Sequence, residues 1–294
     1  MTKRFLLWGL LFATHAGVHL CSASENEGPF IAGTLKNKVI SSDPGLSEIV
    51  SHNLGIGVFH NEYRLIDRGA SYISVKFTSF DFEEGCQMVI DDKQFNHVHS
   101  MTGLGKQLLG TFWCHHVEDD ELILTVKCDD PQKRADFMIE EYVAGFPGLI
   151  TGNITGIVRR GLNGVEEENQ NQIEERRLGV CGSNDKADAK CYESSYPNVY
   201  HKSTPVARIL VNGIGICTGF LVGPSNQLLT SGKCIKSAGE ARNSDIQFMF
   251  ESTACNGTDI PYTMMYEATD LLAHSIELDY ALLQLDGKPV DTFG

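Results

Sequence analysis

The sequence predicts an all-β fold in two domains, the first of them an antiparallel β-sandwich. Three observations predict it. Strand-like runs follow one another from Ser71 to Val143. The segments between them are turn-prone and hold no convincing amphipathic helix, the pattern of an antiparallel sandwich. About 270 residues remain once a leader is removed, against roughly 100 to 200 per domain.

In chain order, residues 1–23 combine a basic start (Lys3, Arg4), an apolar run from Phe5 to Ala16 and the small-residue stretch Cys21-Ser22-Ala23. These are the three parts of a cleavable secretory signal peptide. The run is shorter than the ~20 apolar residues of a membrane helix, and nothing later approaches that length. The mature chain is therefore read as secreted and without a membrane partner. Residues 24–57 are polar, rich in Gly and Ser and poorly periodic, and read as an irregular lead-in.

Residues 58–156 read as the sandwich. Ser71 to Thr78 alternates apolar and polar residues, which on a pleated strand puts Ile73, Val75 and Phe77 on one face. Further runs lie at Cys86 to Ile90, Glu121 to Cys128 and Ala135 to Val143, with turns expected at Glu84-Gly85, Asp91-Asp92 and Asp129-Asp130-Pro131. Residues 157–178 form a charged linker: Arg159-Arg160, a turn at Asn163-Gly164, then Glu166 to Arg177 with hardly an apolar side chain. Such a stretch buries too little to offset its ordering entropy. A dibasic-specific protease would find Arg176-Arg177 there, although charge runs of this kind are usually only solvated linker.

Without Cys21, eight cysteines remain: Cys86, Cys114, Cys128, Cys181, Cys191, Cys217, Cys234 and Cys255. An even number in a chain bound for an oxidising compartment predicts disulfides. Asn153-Ile154-Thr155 and Asn256-Gly257-Thr258 fit the N-glycosylation pattern, making Asn153 and Asn256 candidate glycan sites. The chain carries 24 basic and 38 acidic residues, a net −14. That acidity argues against nucleic acid and anionic membrane surfaces as partners.

Metal and cofactor signals are weak. His97-Val98-His99 and Cys114-His115-His116 offer ligand types, but no C-x-x-C or H-E-x-x-H spacing is present, so no metal site is assigned. Asp81, Asp91 and Asp92 would suit a calcium site, yet turn chemistry is the plainer role. Gly103-Leu104-Gly105 and Gly213-Ile214-Gly215 match no phosphate-binding motif and read as hairpin turns or bulges. No cofactor is expected.

Two stretches carry family resemblances. The order Val75 to Phe82, Cys86, Cys114, Leu122 to Val126 and a last strand ending near Phe146 resembles a CUB-type extracellular sandwich, over roughly 58–146. Val206 to Val211, Ile216 to Val222, Asn226 to Ile235 and Leu278 to Leu285 fall in the order of the first β-barrel of trypsin-type serine proteases. The carrying motifs are C-x-G-x-L-[VI], L-L-T-x-x-H-C and D-x-A-L-[LI]. Val180 to Lys186, Cys191 to Pro197, Phe248 to Phe250 and Cys255 are similar to the lysyl-endopeptidase-like branch. This resemblance covers residues 179 to about 288. It implies that 179–294 is a truncated trypsin-like domain of the chymotrypsin fold, its first β-barrel only.

The resemblance also implies a chemistry and its loss. The family needs His, Asp and Ser in chain order: imidazole takes the hydroxyl proton, the carboxylate orients it, and backbone N–H groups hold the oxyanion. Here Lys233 stands where the histidine belongs. An ordinary lysine, with a pKa near ~10.4, is protonated at neutral pH and accepts no proton. Asp279 matches the triad aspartate and would keep that lysine charged, so an ion pair between the two is expected. The alternative is that Lys233 points to solvent, as surface lysines usually do. From Tyr280 to Gly294 there is no serine, so the nucleophile of the second barrel is expected to be missing.

By the same resemblance Cys217 pairs with Cys234 and Cys191 with Cys255. The family partner of Cys181 lies in the second barrel. Cys181 is then left to one of Cys86, Cys114 and Cys128, themselves an odd set, or to an intermolecular bond. The function implied is that of a secreted serine protease homologue, a pseudoenzyme acting as a binding or inhibitory module on an extracellular protein or glycan. The alternative is an incomplete fragment of a trypsin-like serine endopeptidase-family protein without activity of its own.

Overall fold

The computed structural model describes residues 29–43, 50–51, 59–147, 187–257, 260 and 264–294. The expected signal peptide, the charged linker with Arg176-Arg177, Asn153 and Cys181 lie outside the described residues.

Two antiparallel sheets form the first domain. One takes the order β2-β10-β5-β8, from β2 (Gly33–Ser41), β5 (Ile73–Phe82), β8 (Phe112–Trp113) and β10 (Ala135–Gly145). The other takes the order β3-β4-β9-β6-β7, from β3 (Val50–Ser51), β4 (Phe59–Ile66), β6 (Cys86–Asp92), β7 (His97–Met101) and β9 (Glu121–Cys128). Their facing sides share one core. Ile73, Val75 and Phe77 are each fully buried in it, as the alternation predicts. The alternation slips after Phe77 because the β5–β10 register shifts between Met138 and Ile139, giving β5 an extra residue at Thr78. Phe80 and Phe82 therefore also turn inward, which a strict period of two would not allow.

The expectation of an irregular lead-in over 24–57 is corrected. β2 and β3 lie in that stretch, and so does β1 (Phe30–Ile31). β2 escapes periodicity because it is an edge strand: Gly33, Ile40 and Ser41 are buried and most of the rest is exposed. Main-chain pairing with β10 holds it instead, and Lys36 and Lys38 suit an open edge.

The second domain is a closed antiparallel barrel, running β12-β11-β14-β15-β16-β13 and back to β12. Its strands are β11 (Val206–Val211), β12 (Gly215–Val222), β13 (Gln227–Thr230), β14 (Ser244–Phe248), β15 (Met265–Ser275) and β16 (Tyr280–Leu285). Alternate residues such as Ala207, Ile209, Ile246, Phe248, Ala268, Ala281 and Leu283 fill it. The described helices α1 (Pro197–His201), α2 (Ala238–Arg242) and α3 (Pro289–Phe293) have five residues each. None is long and apolar enough to cross a membrane.

The two domains are stitched together. β1 adds to the barrel strand β12, with Phe30 opposite Ile216, and the chain then enters the sandwich as β2. The β11–β12 hairpin turns through Asn212-Gly213-Ile214, with Asn212 and Gly213 at positive φ, a region these two residue types enter at low cost. Its tip lies on the sandwich, where the Tyr72 hydroxyl donates to Gly213 O at 2.9 Å. Ala32, Tyr72, Trp113, Val143 and Leu210 form a small apolar core between the domains.

Candidate functional site

Lys233 and Asp279 are brought together by two turns at one end of the barrel. β13 leads into Ser231-Gly232-Lys233-Cys234, and Cys234 is bonded to Cys217 of β12. Gly232 is held against the β15–β16 hairpin so closely that a Cβ there would meet Ser275 O at 2.5 Å and Tyr280 O at 2.9 Å. This explains a glycine beside the triad position. On the hairpin, Asp279 takes a left-handed conformation (φ 51°), which aspartate tolerates better than most residues.

The Lys233 Nζ stands 3.9 Å from Asp279 Oδ2. Ser231 Oγ donates to Asp279 Oδ1 at 2.5 Å, and the Lys233 backbone N–H lies 3.3 Å from the same oxygen. The Ser231 hydroxyl bond is the main cause that holds the Asp279 carboxyl below its ordinary range. A carboxylate stabilised in this way is a poor acceptor for a hydroxyl proton. The side chains of Lys233 and Asp279 are 33% and 44% exposed, so their attraction is solvent-screened and contributes little to stability.

The remaining sequence-selected residues are dispersed. Cys191 is bonded to Cys255, and Asn256 beside it is exposed in a turn at φ 57°. Asn256→Gln in chain secreted from eukaryotic cells is expected to remove one glycan, read as a single mass step that glycosidase treatment abolishes in the parent. Among the odd set, Cys86 and Cys128 face each other across β6 and β9 and are bonded. Cys114 is a free, buried thiol. Burial pushes it up to about 12, and its Sγ donates to His115 O. The suggestion that one of the three bonds Cys181 is therefore corrected: two bond each other, and the third is enclosed by the sandwich. Asp92 does turn work, its Oδ1 accepting from the Gln94 and Asn96 N–H groups at 2.8 Å, and Asp81 pairs with Arg134.

The largest polar constellation was not legible in the sequence. Outward-facing residues of the barrel, Arg208 on β11, Asp245 and Gln247 on β14 and Glu267 on β15, meet Lys106, His115, His116 and Glu118 of the sandwich. The Lys106 ammonium is wholly buried, 3.3 Å from Asp245 Oδ1. Asp245 Oδ2 accepts from His116 Nδ1 at 2.8 Å and from its backbone N–H at 3.1 Å. The His116 Nε2 lies 2.9 Å from the Arg208 guanidinium; burial disfavours the charged ring, but the hydrogen bonds to Asp245 and Glu118 outweigh it and raise its pKa. Burial alone would raise the Asp245 carboxyl, but Lys106, His115 and His116 outweigh it and hold it far below the usual range. Glu267 behaves alike: burial opposes, yet the His115 bond at 2.7 Å and Lys106 bring it down to about 2. In sequence these residues alternate with core positions and read as solvent-facing. Only the docked sandwich makes them interior.

Residues 179–293 match the family model of the lysyl endopeptidase C-terminal domain. That match and the closed six-stranded antiparallel barrel fit a relation to the trypsin-like lysyl endopeptidases. Secreted RxLR effector protein 73 of Plasmopara viticola is 31% identical over 132 residues, 42% of this chain. The chain spans 30% of the length of that relative.

Proposed function

We propose that the chain is a secreted protease-related protein whose barrel does not cleave peptide bonds and instead binds an extracellular protein or glycan. The observation that carries the reading is Lys233, a lysine where the related proteases need imidazole, 3.9 Å from the carboxylate that would have oriented it. Ordinary lysines are protonated at neutral pH and accept no proton from a serine. Leu272, Ile276 and Leu278 stand exposed on the hairpin that carries Asp279, with Leu278 74% accessible. Apolar side chains grouped beside a disabled site suit a docking face. Export is supported by the leader-like start, by three disulfides among the described residues and by the secreted relative. The CUB-like reading of the sandwich, the glycans and the domain limits at 58–156 and 179–294 belong to the same proposal.

The secreted chain is expected to give no fluorophosphonate labelling and no turnover of lysyl peptide substrates above buffer. Turnover that Lys233→Ala or Asp279→Ala abolishes would overturn the proposal. Turnover indifferent to both would point to a contaminant.

A further inference from the structure

We infer that His99, His115 and Glu267 form a binding site for a divalent transition metal of the Zn2+ class, joining the sandwich to the barrel. His99 lies on β7, His115 follows β8 and Glu267 lies on β15. One ligand atom from each falls within 4.8 Å of the others. Two imidazoles and a carboxylate are a donor set suited to Zn2+, with the fourth tetrahedral position left to water. Ligand atoms at about 2.0–2.2 Å from a tetrahedral ion sit roughly 3.4 Å apart, so the group closes by side-chain adjustment alone.

Three further features fit. The His99 and His115 rings stack at 4.4 Å and 27°, which holds both as one unit. His115 Nε2 faces Glu267 Oε1 at 2.7 Å while its Nδ1 faces Asp245 Oδ1 at 3.8 Å. That is the layout of a metal-bound histidine whose far nitrogen is turned to an outer carboxylate. Gln107 donates to Glu267 Oε2 at 3.0 Å and fixes the carboxylate plane.

The charge balance points the same way. Asp245, Glu267, Glu118 and Asp286, whose Oδ1 accepts from the Glu267 N–H, outnumber the two permanent cations of the cluster, Lys106 and Arg208. Binding takes the His115 Nε2 lone pair, so the proton on Nε2 leaves to solvent and the ring keeps its other proton on Nδ1, the nitrogen that faces Asp245. The sequence concealed the site because Glu267 comes from the other domain, 152 residues from His115, and no local spacing can announce it.

The test is titration of the metal-stripped full chain with Zn2+ by calorimetry, and with Co2+ by visible spectroscopy. One equivalent is expected, with the absorption of a four-coordinate Co2+ adduct and a rise in Tm on Zn2+ addition. His99→Gln and Glu267→Gln are each expected to weaken binding by roughly 100-fold or more, while His97→Gln, on an exposed side chain, leaves it unchanged. Circular dichroism and the metal-free Tm establish that each variant is folded, and a folded Glu267→Gln decides the matter if His99→Gln is not. No stoichiometric uptake by the parent, or uptake that survives in a folded His99→Gln or Glu267→Gln chain, would overturn the inference.

Discussion

Asp245→Ala is expected to cost about 3–5 kcal/mol of folding stability, the range for removing one partner of a buried ion pair. Asp245 is buried and serves three donors: the Lys106 ammonium, the His116 ring and the His116 backbone N–H. Without it, the wholly buried Lys106 Nζ loses its 3.3 Å partner, and Glu267 Oε1, 4.0 Å away, is its nearest remaining carboxylate. Because Lys106 belongs to the sandwich and Asp245 to the barrel, the loss falls on the contact between domains. Urea denaturation followed by tryptophan fluorescence checks this, since Trp113 lies in the interdomain core and its backbone N–H donates to Asn243 Oδ1 of the barrel. A double-mutant cycle with Lys106→Ala should return a coupling of about 0.5–3 kcal/mol. Additive single effects would mean that the pair is not coupled. Asp279→Ala loses bonds only to the exposed Ser231–Lys233 turn and puts alanine at φ 51°, and should cost much less, about 1 kcal/mol.

Phe77→Ala should be about as damaging, roughly 3–5 kcal/mol for a buried phenylalanine truncated to alanine. The ring is fully buried and meets Phe80, Phe112 and Phe137 at centroid distances of 5.2, 5.1 and 6.2 Å. These neighbours come from three strands of one sheet, so the cavity has no flexible wall that collapses into it. Phe77 also faces Phe112 across the β5–β8 ladder, and β8 runs directly into His115 and His116. The variant should therefore loosen the domain contact as well as the sandwich core. Urea midpoints measure the first effect. Faster hydrogen exchange at residues 114–118, compared with the β16 amides, measures the second. A loss under 1 kcal/mol would show that the aromatic cluster repacks around the gap.

Legibility in the sequence followed the kind of force holding each element. Ile73, Val75 and Phe77 were legible because a strand with one buried face writes its burial into alternation. β2 was not, since an edge strand stabilised by main-chain bonds leaves its side chains free to be polar. The barrel strands were recognisable through ordered motifs, and those motifs also located Lys233 and Asp279 on adjoining turns. In β14, Ile246 and Phe248 point into the barrel and Asp245 and Gln247 away from it, an alternation the sequence reading did not pick out. What covers the outward face was not written there.

Residue identity and short-range order settled the all-β class and the inner face made by Ile73, Val75 and Phe77, and they carry the proposal that Lys233 stands at a protease histidine position. The tertiary structure alone decided that Cys86 bonds Cys128 and leaves Cys114 enclosed, that the segment from Phe30 bridges the two domains, and that Arg208, Asp245 and Glu267 are interior. Those outcomes depend on which surfaces meet after distant segments fold. A charged side chain on a strand carries the same local signature whether water or another domain lies beyond it.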